Sequence, residues 1–339
     1  MPSTRGSAPT GPSPAGTDNA MATQPLQSET TRQPDMIARA LDSDLFYSFK
    51  RSPLTVVAAI VTVICFGGAF LAPWIAPHDP FDLSTLNLLD AFTPPVWVEE
   101  GDWKYLLGAD DQGRDVLSTI MYGARISLLV GFCSVLFAMV LGVTLGLVSG
   151  YMGGMVDAII MRIADVQLSF PAILIALLVD GILRAAFPRE LHDEFALYVL
   201  ILSVGLSYWV QYARTVRGST FVEKNKEYVQ AARVIGVHPV RLLFSHILPN
   251  VIGPVLVIAT INLALAIITE ATLSFLGVGM PPTKPSLGTL INKGNDFLLS
   301  GEWWITIFPG LALVLMALSV NLLGDWLRDA LNPKLRVTR

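Results

Sequence analysis

Apolar residues in this chain come in long unbroken runs rather than in stripes. Six runs are long enough to cross a ~30 Å hydrocarbon core, which takes about 20 residues. They are Leu54 to Ile75, Ser127 to Ser149, Asp157 to about Leu183, Phe195 to Ala213, Val251 to Phe275 and Ile305 to Leu323. The third is interrupted by Asp165 and Pro171. Backbone N–H and C=O groups find no water in lipid, so each run is predicted to be a helix. The pattern predicts an all-α integral membrane protein with six transmembrane helices.

Composition agrees. The chain is 53% hydrophobic and only 15% charged, with a mean hydropathy of +0.56, where soluble domains carry about 25% charged residues. The net charge of −4 hides a clustering of charges at the ends of the apolar runs. No basic stripe with interleaved aromatic residues occurs, which argues against nucleic acid as a partner. Cys65 and Cys133 lie inside apolar runs and read as small buried hydrophobes. Residues 1–44 are rich in Pro, Ser, Thr and Gly and read as a disordered cytoplasmic tail rather than a signal peptide.

Lys and Arg set the orientation. Lys50 and Arg51 precede the first run. Arg214, Arg217, Lys224, Lys226, Arg233 and Arg241 lie between the fourth and fifth, and Arg328, Lys334, Arg336 and Arg339 follow the sixth. The segment from Ala76 to Ala124 instead has Lys104 and Arg114 against nine acids. Both termini are therefore expected to be cytoplasmic. The expected organisation is a first transmembrane helix and its flank (45–76), an external segment (77–124), a core of five further helices (125–326) with a cytoplasmic loop at 218–250, and a cytoplasmic tail (327–339).

Within that loop, residues 227–250 read EYVQAARVIGVHPVRLLFSHILPN. Tyr228, Ala231, Ala232 and Ile235 fall at i, i+3, i+4 and i+7 and are predicted to share a helix face. Gly236 supplies a stop. Pro239 suits the first turn of a second helix, in which Val240, Leu243, Phe244 and Ile247 repeat the spacing. Pro249 and Asn250 are expected to end it. Such a hairpin could lie on lipid, pack on its own spans or enter a groove on another protein. The small pair Ala231–Ala232 favours a protein surface.

Gln230-Ala231-Ala232, Gly236 and Leu248-Pro249 follow the spacing of the coupling loop in ABC-importer permease subunits. Gln230 replaces the usual Glu of that pattern, and His246 an Ile. Residues 106–131, 162–177, 269–279 and 308–336 also resemble the C-type permease subunits of dipeptide and oligopeptide importers, so the likeness runs from Leu45 to Arg336. It implies a type I ABC-importer permease fold and a function in ATP-driven uptake of di- or oligopeptides. It also implies a second homologous permease subunit, two ABC ATPase subunits that bind ATP and Mg, and an external solute-binding protein. The loop, with Glu227, Tyr228, Gln230, Ala231, Ala232, Gly236, Pro239, Leu248 and Pro249, would dock on an ATPase. Close relatives carry nickel, glutathione, murein peptides or antimicrobial peptides, which stay open as cargo.

The chain has no G-x-x-x-x-G-K-[ST] loop to hold nucleotide phosphates, so no cofactor is expected in it. His78, His192, His238 and His246 lie outside the apolar runs, so neither catalytic residues nor metal ligands are expected at membrane depth. Asp165 would sit ~12 Å into the third helix at 1.5 Å per residue. An unpaired charge there costs at least ~2.5 kcal/mol, and Arg162, at i−3, is the expected partner. Asn262 is expected to bond across helices, and Glu270 to line the external mouth. Arg162, Asp165, Asn262 and Glu270 are thus candidates for the translocation pathway or for helix pairing. Asp165 alone is a thin basis for an ion-coupled secondary transporter, the rival reading. Asp110, Asp111, Arg114 and Asp115 read as a turn and helix cap.

Overall fold

A computed structural model describes residues 49–82 and 86–331. The tail expected over 1–44 and the last residues of the C-terminal tail lie outside the described residues. Among the described residues the regular structure is helical, apart from one isolated bridge between Ala109 and Asp115.

Helix α1 (Pro53–Phe70) starts where the Ser52 hydroxyl accepts from the Thr55 N–H, with Pro53 in the first turn, and the short α2 (Ala72–Ile75) follows. Helix α3 (Val116–Met152) has 37 residues, about 55 Å at 1.5 Å per residue, so it outruns a bilayer. It begins eleven residues before the apolar run because Asp115 caps it, accepting from the Ser118 N–H at 2.8 Å and hydroxyl at 2.6 Å. At its other end Lys224 Nζ donates to the Gly150 carbonyl at 2.6 Å, a cation placed at the negative end of the helix.

The third apolar run is broken rather than kinked. It forms α4 (Gly154–Leu168) and α5 (Ala172–Ala186), which meet at 101°. Proline has no N–H and forces its predecessor out of helical geometry, so Phe170 and Pro171 cannot continue α4. The Ser169 hydroxyl closes α4 by donating to the Asp165 carbonyl at 3.0 Å. Helices α6 (His192–Glu223) and α7 (Glu227–Val234) follow.

The hairpin also departs from expectation. Its second arm, α8 (Pro239–Leu242), does not stop at Pro249. It runs through a π-turn at Leu243–Ile247 into α9 (Leu248–Phe275), and the whole is one span, Pro239–Phe275. The widened turn accommodates Pro249, which falls in the first turn of α9. A short helix α10 (Leu287–Asn295) and α11 (Trp304–Leu331) complete the described residues. Among the described residues, five continuous spans and the broken pair, taken as one, make six.

The core seam lies between α3 and α6. Gly142, Gly146 and Gly150 form a stripe at i, i+4, i+8, and a Cβ on Gly146 would sit 2.6 Å from the Ala213 carbonyl oxygen. Small residues at that spacing let two membrane helices approach backbone to backbone. Tyr208, Tyr212 and Val216 of α6 carry the core across to Val251, Val255 and Ala266 of α9. The end of α6 and the start of α9 are thereby set side by side, with α7 and α8 joining them in the chain.

Candidate functional site

The hairpin expected to be cytoplasmic is built around α7. Gly236, at φ 82°, ends it, with the Gly236 N–H on the Arg233 carbonyl and the Val237 N–H on the Ala232 carbonyl, both at 3.0 Å. This is the paired-bond stop that a left-handed glycine permits. The helix is turned differently from the face read from spacing. Val229 and Ala232 are buried in the core with Leu242 and Ile247, while Val234 and Ile235 are 87% and 79% exposed. Ile235 lies just past the end of a helix only eight residues long, and the Tyr228 hydroxyl is turned to Glu223 and Asn250, so neither follows the buried face. Glu227, Gln230, Ala231, Pro239 and Pro249 are exposed, and Leu248 is half-buried.

Tyr228 ties the hairpin to both neighbouring spans. Its hydroxyl donates to Glu223 Oε1 at 2.5 Å, at the end of α6, and accepts from Asn250 Nδ2 at 3.0 Å, at the start of α9. Asn250 also donates to the His246 carbonyl at 2.8 Å. Burial, with Glu223 accepting the phenolic proton, pushes the Tyr228 hydroxyl up to about 12. Lys226 pairs with Glu223 at 2.8 Å, and the Arg233 guanidinium lies 4.9 Å from the Tyr151 ring centre near the end of α3. Glu223 did not stand out in the sequence, where it is one acid in a basic stretch, and Asn250 was read only as the end of the second helix.

Asp165 pairs with Arg214 of α6, not with Arg162. Arg162 is exposed, and no partner is seen for it among the described residues. Asp165 lies within α4, before the break, and its side chain is exposed rather than enclosed by the bundle. Asp165 is one step in a polar ladder along α4 and α6. Asp157 accepts from Arg217 and, at 2.5 Å, from the Ser149 hydroxyl. Gln167 accepts from Trp209 Nε1 at 2.7 Å and donates to the Leu206 carbonyl at 2.6 Å.

Glu270 does not line the external mouth. It is fully buried, because the loop after α9 folds back over it. Its Oε1 accepts from the Ser274 hydroxyl at 2.8 Å, and Ser127 and Ser286 also face it. Asn262 is buried, and its side chain faces the Tyr212 hydroxyl of α6 across the two helices. The sequence reading missed Asp180, a buried carboxylate in α5 paired with Arg184 at 2.7 Å. Its signal was an Asp and an Arg at i, i+4 inside an apolar run.

Outside the spans, Asp110 holds Arg114 at 2.7 Å and accepts from the Gln112 and Arg114 N–H groups at 2.9 Å. Nearby, burial raises Asp111 and lowers Lys293 from their ordinary values. The described residues hold no group of three or more His, Cys, Asp or Glu placed to bind a metal ion.

Among the described residues, these spans and the hairpin joined to two of them define a multi-pass membrane protein. Residues 142–337 match the family described as "Binding-protein-dependent transport system inner membrane component", and residues 43–95 match the N-terminal TM domain of oligopeptide transport permease C. The chain is 40% identical over 293 residues to the dipeptide transport system permease protein DppC of Haemophilus influenzae, covering 86% of this chain and 95% of that protein. It is 42% identical to the Escherichia coli K12 protein of the same name, over 86% and 93% of the two chains. To the di/tripeptide transport system permease protein DppC of Pseudomonas aeruginosa it is 38% identical, over 82% and 86%. The chain belongs to the binding-protein-dependent transport system inner membrane component family.

Proposed function

We propose that this chain is the non-catalytic, membrane-spanning subunit of an ATP-driven importer of di- and oligopeptides. It works beside a second homologous permease subunit, takes peptide from an external binding protein, and couples to two ATPase subunits that bind ATP and Mg. The peptide cargo rests on the likeness to relatives named for dipeptide and di/tripeptide transport. One observation carries the coupling role: α7 buries Val229 and Ala232 against its own bundle and turns Val234 and Ile235 outward on the face expected to be cytoplasmic. Apolar side chains so exposed beside basic residues fit a groove on another protein.

The hairpin transmits force because it is stiff at both ends. The glycine stop fixes the turn after α7, and Tyr228 joins the end of α6 to the start of α9. A displacement of α7 by a closing ATPase pair therefore moves two spans together. The exposed pair is the place to test this. Ile235→Asp in the assembled importer is expected to insert normally but to lose co-purifying ATPase and ATP-dependent uptake of a labelled dipeptide. Unchanged uptake would refute the docking role. A reconstituted importer whose ATPase ignores peptide-loaded binding protein but responds to another solute would refute the cargo.

A further inference from the structure

We propose that the external segment before α3 is anchored in the outer leaflet at the lipid headgroups, with Trp97 as its anchor. The segment is pinned over the outer ends of α3 and α11. Trp304 Nε1 donates to the Ala109 carbonyl at 3.0 Å, the His78 N–H donates to the Ser118 hydroxyl at 3.1 Å, and the Phe92 and Phe297 rings meet at 5.1 Å. These contacts bring Trp97 edge-on to Phe308, with ring centres 5.9 Å apart, and Phe308 in turn packs on Trp303 at 5.6 Å.

Phe308 lies four residues into α11, about 6 Å below its outer end. Trp303, just before that helix, and Ile307, Leu311, Val314 and Leu318 on it are exposed at helical spacing, which makes the apolar stripe a span turns to lipid. Trp97 sits at the head of that stripe and is itself 58% exposed. Trp74, 80% exposed, occupies the matching outer position beyond α1, which packs on α11. Tryptophan favours this level because its ring is apolar and its N–H can bond headgroup oxygens. A docking surface for a soluble protein would not continue into a lipid-facing stripe.

The test uses the assembled importer in proteoliposomes. Trp97→Cys, with Cys65 and Cys133 replaced by Ser, carries an environment-sensitive fluorophore, and Glu99→Cys serves as the control at an exposed neighbouring position. The label at 97 is expected to emit blue-shifted and to lose most of its intensity to lipids spin-labelled near the headgroup. Lipids labelled deep in the acyl chain should quench it less, while the label at 99 responds to aqueous iodide. In parallel, the native chain should lose more tryptophan fluorescence to brominated lipid than Trp97→Phe does, which keeps the test independent of the cysteine variant. Iodide quenching at 97 that is relieved by binding protein would overturn the proposal in favour of that partner. Protection from both iodide and spin-labelled lipid would overturn it in favour of the second membrane subunit.

Discussion

Arg184 binds the outer half of the broken span to the loop after α9 through Asp180. Its Nε donates to the buried Asp180 carboxylate at 2.7 Å, and its Nη2 donates to the carbonyls of Val278 and Gly279 at 2.6 and 2.8 Å. The carboxylate orients the guanidinium, and the guanidinium satisfies a loop whose carbonyls would otherwise face an apolar surround. Removing one partner of a buried ion pair costs ~3–5 kcal/mol because the other charge is stranded. Asp180→Leu and Arg184→Leu should each lower the unfolding midpoint of the purified subunit, and the double variant should recover part of the loss. Arg184→Lys should keep the charge but release the loop carbonyls. Additive single effects in thermal unfolding would show that the pair does not act as a unit.

This pair also marks the limit of what the sequence discloses. The spans were legible because lipid demands long apolar runs, and Gly236 and Pro239 were legible because few residues do what they do. Helix ends were not. Asp115 starts α3 well outside its apolar run, and α8 passes Pro249 because a π-turn accommodates the proline. Counting residues from Val251 put Glu270 at the mouth, but a chain that folds back over its own helix end buries what a count leaves exposed. Pairings across helices, such as Asp165 with Arg214, depend on rotation about axes that one-dimensional spacing does not contain.

The Tyr228 hydroxyl should decide how well α6 and α9 move together. Tyr228→Phe keeps the ring and removes the bonds to Glu223 and Asn250. The variant should insert and bind ATPase, yet import several-fold less peptide per ATP hydrolysed. The pH response has a definite sign. With the folded value pushed from 10.0 up to about 12, the contribution is full below pH 10 and is lost as pH rises through about 12. Coupling measured from pH 6 to 9 should therefore show no step from this group. An unchanged transport-to-hydrolysis ratio in Tyr228→Phe would remove Tyr228 from the coupling path.

Gly146 should tolerate no side chain. A Cβ there meets the Ala213 carbonyl oxygen at 2.6 Å and Val216 Cβ at 2.8 Å, whereas a Cβ at Gly218 on α6 meets nothing within 4 Å. Overpacking of a tight contact costs ~1–3 kcal/mol. Gly146→Val is expected to lower the thermal midpoint and the yield of folded protein from membranes, with Gly218→Ala close to wild type in both. Equal behaviour of the two variants would mean that α3 and α6 are not in backbone contact.

Glu270 should act by shape and hydrogen bonding rather than by charge. It is the centre of a hydroxyl cluster that ties three helices together. Ser274 belongs to α9 with Glu270 itself, Ser127 to α3, and Ser286 caps α10 by accepting from the Thr289 N–H at 3.4 Å. Ser127 also accepts from the Leu287 N–H at 3.3 Å. Among the described residues no Lys or Arg pairs with Glu270. A carboxamide accepts hydroxyl protons at its oxygen and donates from its nitrogen to hydroxyl oxygens, so Glu270→Gln should keep thermal stability and uptake near wild type. Glu270→Leu leaves buried hydroxyls without an acceptor, at ~1–3 kcal/mol for each group left unsatisfied, and should loosen α10 from the ends of α3 and α9. Limited proteolysis in the 277–288 loop reads that loosening directly. If Gln proves as damaging as Leu in both stability and proteolysis, the negative charge itself is what the cluster requires.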